Sequence, residues 1–353
     1  MDLADFNYTL PPELIAQSPV TPRDASRLMQ IDRKQGSIKH GYFYNLPDLL
    51  NANDVLVVNN TKVIPVRIMA YKKTGGLIEI LLIKPSGSNL SHWVALAKPM
   101  KRIKIGEQIT LVNEQDSWTI TVIDSYEHHD GYKRMVVDIG EAQLLYKRLN
   151  DFGWAPLPPY IEQDLRKSRL KDITDYQTIF AKDLGAVAAP TAGMHFTDKL
   201  LQVLKAKNIP ILEITLHVGI GTFKPVTVND IDDHLMETEQ YSISQETAVK
   251  LNEAKLSNKR IIAVGTTTVR TLESAYYNHK INATKLANTN LFIKPGYEWK
   301  FIDGLITNFH LSKSSLLIMV SAFAGIKLIR DAYAQAIQAK YRFYSYGDSM
   351  IIL

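Results

Sequence analysis

Two patterns of hydrophobic positions divide the chain. Between about residues 64 and 139, short runs of β-branched and aromatic residues alternate with brief turns, and no run is long enough for a packed helix. Short antiparallel strands need closure to hide their edges, so this stretch predicts a small all-β barrel. We therefore expect an inserted barrel domain at residues 64–150, between segments 1–63 and 151–353 of a larger domain.

The flanking segments predict strands followed by loops and helices. A hairpin is expected from Arg27–Ile31 and Ser37–Phe43, followed by a short helix and the strand DVLVVNN. After the proline-rich segment Trp154–Ile161, four strands are predicted to begin loop or helix units: GAVAAP, IPILEITLHV, RIIAVG and LITNFH. The fold class predicted is multidomain α/β, and the ligand site is expected at the carboxyl ends of the strands.

The amino-acid composition limits the cellular compartments and the kinds of catalytic chemistry that fit this chain. The 353 residues, 46% of them hydrophobic, are enough for two globular domains. Cysteine is absent, which excludes thiolate chemistry and disulfides. The first residues do not resemble a signal peptide, and the longest apolar stretch, residues 315–326, predicts a buried helix because it is too short to span a bilayer. We expect a cytoplasmic protein; its net charge of +5 permits a polyanionic partner but is weak evidence for one.

Two glycine-containing loops follow predicted strands, and each carries a histidine. In VAAPTAGMHFT the histidine lies at or near a helix start, where free N–H groups favour an anion, and Thr191 or Thr197 could cap that helix. In LHVGIGTFKPV two glycines would let the backbone approach a ligand closely. The alternative for the first loop is a glycine turn with a packed histidine, and for the second an ordinary loop, because a lone GxG is common. The candidate residues are Thr191, Gly193, His195, His217, Gly219 and Gly221.

Two further strand ends carry polar side chains. GTTTVRTLES opens a helix with three threonines, and its arginine could bind a carboxylate or form a structural ion pair. TNFHLSKSSLLIMV places an asparagine and a histidine at a strand end, with serines as candidate caps of an apolar helix. Histidines at three strand ends suggest one pocket, although the sequence cannot show that they meet. The candidates are Thr266, Thr267, Arg270, Asn308 and His310.

Other charged residues have weaker functional signals. Glu237 and Glu239 could divide acid and base roles or simply face water, and the pair His128–His129 is more consistent with solvation than with metal binding. Basic clusters and the aromatic C-terminal segment YRFYSYGDSMIIL could contact unpaired bases, while an edge strand is the alternative for the aromatic segment. The basic clusters are Lys62–Lys73, Lys98–Lys104 and Arg166–Lys171.

Eight segments, in this order and spanning nearly the whole chain, resemble the S-adenosylmethionine:tRNA ribosyltransferase-isomerase family. They are SPVTPRDASRLM, NNTKVIPVR, DYQTIFA, VAAPTAGMHFT, LHVGIGTFKPV, VGTTTVRTLES, TNFHLSKSSLL and YRFYSYGDSMI. The resemblance implies transfer of the ribosyl part of S-adenosylmethionine to 7-aminomethyl-7-deazaguanine at the tRNA wobble position. Epoxyqueuosine forms, and adenine and methionine leave. It also implies that the candidate loops line one pocket.

Three positions depart from the family pattern. Glu237 stands where the family usually has histidine, Gln163 where arginine is common and Ser312 where proline is usual. Glu239 matches the pattern, so we prefer Glu239 as the acidic site residue.

The implied reaction sets expectations for individual residues. The sulfonium makes the adjacent carbon acidic, so bases and orientation are sufficient and no metal is expected. We expect His195 or His310 to transfer the proton, and Glu239 to orient groups or pair with a cation. The helix-start threonines and Arg270 should hold the methionine carboxylate.

The same reaction predicts the partners of the chain. The basic clusters should bind the anticodon arm, with an affinity that falls steeply with salt, and a monomer is expected. A methyltransferase that uses the same cofactor and a non-catalytic RNA-binding module are the alternatives. Methyl transfer would release S-adenosylhomocysteine rather than adenine, and a binding module would not need S-adenosylmethionine.

Overall fold

A computed structural model describes residues 1–72, 75–100, 103–112, 116–128, 131–162, 169–223 and 225–353 of the chain. The strands among these residues are β1 (Arg27–Asp32), β2 (Ser37–Tyr42), β3 (Asp54–Asn59), β4 (Thr61–Val63), β5 (Arg67–Tyr71), β6 (Leu77–Pro85), β7 (His92–Lys98), β8 (Gln108–Val112), β9 (Ser117–Glu127), β10 (Lys133–Asp138), β11 (Gly153–Trp154), β12 (Asp183–Ala186), β13 (Ile211–His217), β14 (Glu239–Ile243), β15 (Arg260–Val264), β16 (Tyr276–Tyr277), β17 (Lys280–Ile281), β18 (Thr284–Thr289), β19 (Gly304–Asn308) and β20 (Ser349–Ile352). The α-helices are α1 (Leu46–Leu49), α2 (Leu145–Phe152), α3 (Arg169–Asp175), α4 (Asp198–Ala206), α5 (Gln245–Leu256), α6 (Thr266–Ala275), α7 (Ser315–Ala324) and α8 (Ile326–Gln338).

The larger compact unit comprises residues 1–62, 158–162 and 177–353 and contains a nine-stranded sheet. The strand order is β18-β14-β13-β3-β15-β19-β20-β1-β2, with β13, β3, β15 and β19 parallel. Along β3, Val55 and Val57 join one hydrophobic core, whereas Leu56 and Val58 join the other. Both faces are therefore buried, as a parallel sheet requires, and the predicted α/β class is confirmed.

One edge of this sheet collects the strand ends that carry the candidate residues. The parallel strands β13, β3, β15 and β19 end there, and β20 begins there because Ser349 pairs with Asn308. Ser349 also pairs with Leu28 at the start of β1, and Gln240 of β14 pairs with His217. Because these strands run in the same direction, the loops that follow them lie at one edge of the sheet, as the sequence predicted.

The smaller unit comprises residues 63–157 and 163–176, of which 163–168 lie outside the described residues. Its strands β5-β6-β7-β10-β9-β8 form a sheet that closes through pairing of Tyr71 with Thr110. Alternate residues are buried, as in β8, where Ile109 and Leu111 face inward. The predicted barrel is confirmed: the apolar runs LIEILLI, HWVALA, EQITLV, SWTITVI and RMVVDI lie in β6 to β10, and β5 adds a strand whose apolar run is shorter.

Two local predictions in the larger unit were wrong. An edge strand was one of two alternatives for the C-terminal aromatic segment, but its strand, β20, lies inside the sheet between β19 and β1. The strand predicted for GAVAAP ends at Ala186, and Thr191–His195 forms a 3-10 helix preceded by Pro190. The α-helix begins only at Asp198, where Thr197 accepts a hydrogen bond from the Leu200 N–H.

The predicted buried helix is confirmed as α7, and Ser314 caps it by accepting from the Leu317 N–H. In the C-terminal segment, the rings of Tyr341, Phe343 and Tyr346 are buried, so most of its aromatic residues serve packing. Across the described ranges, none of the helices is both long enough and apolar enough to span a membrane.

Candidate functional site

A cavity opens in the larger unit at the sheet edge where β15 and β19 end. Its walls come from the starts of α6 and α7 and from residues 189–192, with Tyr160 and residues 344–345 on the remaining side. Five of the candidate residues line it: Thr191, Thr266, Thr267, Asn308 and His310. Tyr160, Tyr344 and Ser345 were not among the predicted site residues. Tyr160 belongs to the proline-rich segment, and the other two belong to the aromatic C-terminal segment, which was considered only for base contacts or a strand.

The start of α6 supplies a site for a negatively charged group. Gly265 has a φ of +88°, which lets β15 turn directly into the helix at little steric cost. The Thr267 hydroxyl accepts a hydrogen bond from the Asn59 amide, and the Thr268 hydroxyl donates to the Val264 carbonyl, so both side chains are held in place. The first N–H groups of a helix have no intrahelical acceptor, and they favour an anion in the adjoining cavity.

His310 is the one candidate histidine on the cavity wall. Its Nε2 is 2.7 Å from the Thr307 hydroxyl, its backbone N–H donates to the Tyr333 hydroxyl, and its carbonyl accepts from Tyr8. Burial lowers the pKa of the His310 imidazole to about 3. The ring is therefore neutral near pH 7.

His195 lies behind the cavity wall and orients Asn308. The Asn308 amide nitrogen donates to the carbonyls of Tyr344 and Ser345, so its Oδ1 is the atom 3.3 Å from His195 Nε2. Nε2 must then carry the proton, and Nδ1 accepts from the Ser26 hydroxyl at 2.7 Å. With both nitrogens engaged and the ring stacked on Phe43, His195 is placed to position Asn308 rather than to contact a ligand.

Glu239 and Arg270 form a buried ion pair outside the cavity lining. The other guanidinium nitrogens of Arg270 donate to the carbonyls of Leu291 and Thr289, and the second Glu239 oxygen accepts from the Gly219 N–H. The pair therefore holds the loop that follows β13. The sequence left open whether Arg270 binds a ligand carboxylate or forms a structural ion pair, and this geometry matches the ion pair.

The remaining candidates lie near the cavity but do not line it. His217 is hydrogen-bonded to the Thr61 hydroxyl and packs against Gly185, where any larger side chain would collide with the ring. Burial, opposed by the charge of Asp183, lowers the pKa of His217. Gly193 packs against Thr178, a close approach that favours glycine.

The positions that depart from the family pattern lie at the periphery or outside the described residues. The side chain of Glu237 packs against Gly221, and the Ser312 hydroxyl donates to the side chain of Asn7. Gln163 and His129 lie outside the described residues. Within the described ranges, no cluster of three or more acidic or histidine side chains could hold a metal ion.

The buried histidines predict a loss of stability in acid. Burial, aided by the nearby Arg23 and Arg342, lowers the pKa of His195 to about 4 against the opposing hydrogen bond of Asn308. Below the ordinary histidine pKa of about 6.5, the unfolded chain binds more protons than the folded chain. The free energy of unfolding should therefore fall as the pH drops from 6.5 towards 4. Urea titrations at several pH values check this, and His195→Gln should flatten the slope; an equal slope in both proteins would contradict it.

The chain is similar to proteins of known family along its whole length. A family model described as queuosine biosynthesis protein matches residues 3–352. A Staphylococcus haemolyticus protein named S-adenosylmethionine:tRNA ribosyltransferase-isomerase is 44% identical over 354 residues, covering 100% of both chains. The crystal structure of an S-adenosylmethionine tRNA ribosyltransferase from Thermotoga maritima is 35% identical, covers 99% of this chain and 100% of its own, and superposes with a TM-score of 0.55.

Proposed function

The chain belongs to the queuosine biosynthesis protein family, and we propose that it catalyses the ribosyl transfer and isomerisation for which its relatives are named. It is an S-adenosylmethionine:tRNA ribosyltransferase-isomerase. The ribosyl moiety of S-adenosylmethionine moves to 7-aminomethyl-7-deazaguanine at the tRNA wobble position and is isomerised to the epoxide-bearing group of epoxyqueuosine. Adenine and methionine are released.

S-Adenosylmethionine binds as co-substrate in the cavity at the end of β15 and β19. The N–H groups and hydroxyls at the start of α6 hold the methionine carboxylate, because helix N-termini favour anions. The observation that carries this assignment is the joint placement of Thr266, Thr267, Asn308 and His310 on one cavity wall. Arg270 supports the helix from behind, since its guanidinium is engaged by Glu239 and two carbonyls.

The chemistry needs a base next to the sulfonium rather than a metal. The positive sulfur acidifies the adjoining carbon, and the neutral His310 imidazole accepts the proton. Loss of adenine, closure of the epoxide and capture by the aminomethyl nitrogen follow, with methionine as the last leaving group. The Oδ1 atom of Asn308, held by His195, orients the sugar or the base by accepting one further hydrogen bond.

The tRNA partner is bound through its anticodon arm. The basic clusters at residues 62–73, 98–104 and 166–171 supply positive charge, although residues 73, 101–102 and 166–168 lie outside the described residues. Neutralising several phosphates makes the affinity fall with increasing salt.

Incubation with ribose-labelled S-adenosylmethionine and precursor-modified tRNA tests the function. We expect free adenine, free methionine and label on the RNA in equal amounts. Labelling the methyl group instead should leave the RNA unlabelled. Release of S-adenosylhomocysteine with methyl label on the RNA would establish a methyltransferase, and RNA binding without any product would establish a non-catalytic module.

A further inference from the structure

Two exposed tyrosines stand beside the cavity edge of the nine-stranded sheet. Tyr42 ends β2, and Tyr44 follows two residues later; their rings are parallel within 8° with centroids 5.2 Å apart. Their exposed fractions are 45% and 50%, whereas Phe43 between them is buried against His195. A pair of stacked rings in water still presents outer faces on which another flat ring can stack.

The register of the sheet places this pair close to the cavity. Asn308 pairs with Ser349, Ser349 with Leu28, and Leu28 with Gly41, the neighbour of Tyr42. Three strand spacings separate the two points, a distance of about 14 Å. That separation suits a short, single-stranded stretch of nucleic acid with one base in the cavity and a nearby base on the tyrosines.

The charges along the same edge complement a phosphate backbone. Arg23 lies three residues before Ser26, which is hydrogen-bonded to His195, and the Arg342 backbone N–H donates to Asp348, the residue before β20. Both arginines therefore belong to segments at this edge of the sheet. The acidic residues of the same segments are turned inward: Asp24 accepts from the Thr197 hydroxyl, and Asp348 accepts from two backbone N–H groups. Guanidinium groups and aromatic rings together are the combination that binds unpaired RNA.

We propose that Tyr42 and Tyr44 form a stacking platform for an unpaired anticodon-loop base adjacent to the base that enters the cavity. The proposal rests on the proposed function, because it assumes that a tRNA loop reaches this edge. It gives the larger unit a stacking contact with an RNA base, whereas the basic clusters supply only positive charge for phosphates. Bases of any identity fit, since every base has a flat face.

The test measures binding of a precursor-modified anticodon stem-loop by fluorescence anisotropy. The variant Tyr42→Ala/Tyr44→Ala should bind about 5- to 100-fold more weakly, the range seen when a stacking ring is removed. Tyr42→Phe/Tyr44→Phe keeps both rings and should bind within about twofold of the wild type. The KM for tRNA should rise in the alanine variant while the KM for S-adenosylmethionine stays the same.

Tyr277→Ala is the matched control, because Tyr277 is 70% exposed and lies beyond the opposite end of α6. The platform would be overturned if the double alanine variant bound the stem-loop as tightly as the wild type. It would also be overturned if Tyr277→Ala or the double phenylalanine variant lost as much affinity as the double alanine variant. If the double alanine variant is unfolded by circular dichroism, Tyr44→Ala alone replaces it with the same criterion. Wild-type protein that binds RNA but transfers no ribosyl group would instead refute the proposed function.

Discussion

Replacing His310 by alanine should lower the single-turnover rate of ribosyl transfer by about 10²- to 10⁴-fold, the usual contribution of a positioned acid–base group. His310 is the candidate histidine that lines the cavity, and burial keeps its ring neutral. Rapid quenching with both substrates saturating measures the chemical step separately from binding. Adenine release should slow in parallel, since it follows proton removal.

Two further variants separate proton transfer from positioning. His310→Gln retains a partner for the Thr307 hydroxyl but cannot accept a proton, so it should be as slow as the alanine variant. His195→Ala should cost less, because it acts through the orientation of Asn308. Near-normal single-turnover rates in both His310→Ala and His195→Ala would show that neither histidine moves the proton.

Replacing Arg270 by alanine should lower the free energy of unfolding by about 3–5 kcal/mol, as expected when one partner of a buried ion pair is removed. The change leaves the Glu239 carboxylate buried without its cation and the carbonyls of Leu291 and Thr289 without a donor. Urea denaturation at neutral pH measures the loss. Activity should also fall, because the loop around Gly219 loses its anchor.

The double variant Arg270→Ala/Glu239→Gln should recover part of that stability, since no buried charge remains unpaired. Lys250→Ala is the surface comparison: its pair with Glu246 is exposed, and its loss should change stability by less than about 1 kcal/mol. If Arg270→Ala is as stable as the wild type and loses more affinity for S-adenosylmethionine than for tRNA, Arg270 is instead a direct ligand of the methionine carboxylate.

The fold was predictable wherever local pattern and long-range packing agree. The barrel strands have short apolar runs with clear alternation, and β3 and β15 are continuous apolar runs that only a sheet covered on both faces can bury. The interior place of β20 was not predictable. The sequence of Ser349–Ile352 is equally suited to an edge and a central strand, and the choice depends on β1, more than 300 residues away.

The sequence predicted which strand-end loops meet at the cavity, but not which side chains hydrogen-bond to one another. Strand direction brought Thr266, Asn308 and His310 to one cavity, as parallel topology implies. No sequence signal distinguished His310 from His195, because their difference lies in the hydrogen bonds of each ring. Ser26, which fixes the His195 tautomer, was missed for the same reason: a serine before a strand has no signature until its partner is known.

The interior position of β20 has a consequence for synthesis on the ribosome. The hairpin β1–β2 emerges before all the other strands of the sheet, yet its neighbour on the inner side is β20, the last of them in the chain. The hairpin must therefore stay unpaired along one side until a segment more than 300 residues later in the chain has been translated. Contacts this distant along the sequence slow folding, and the free edge of β1 stays exposed to aggregation until β20 has been made.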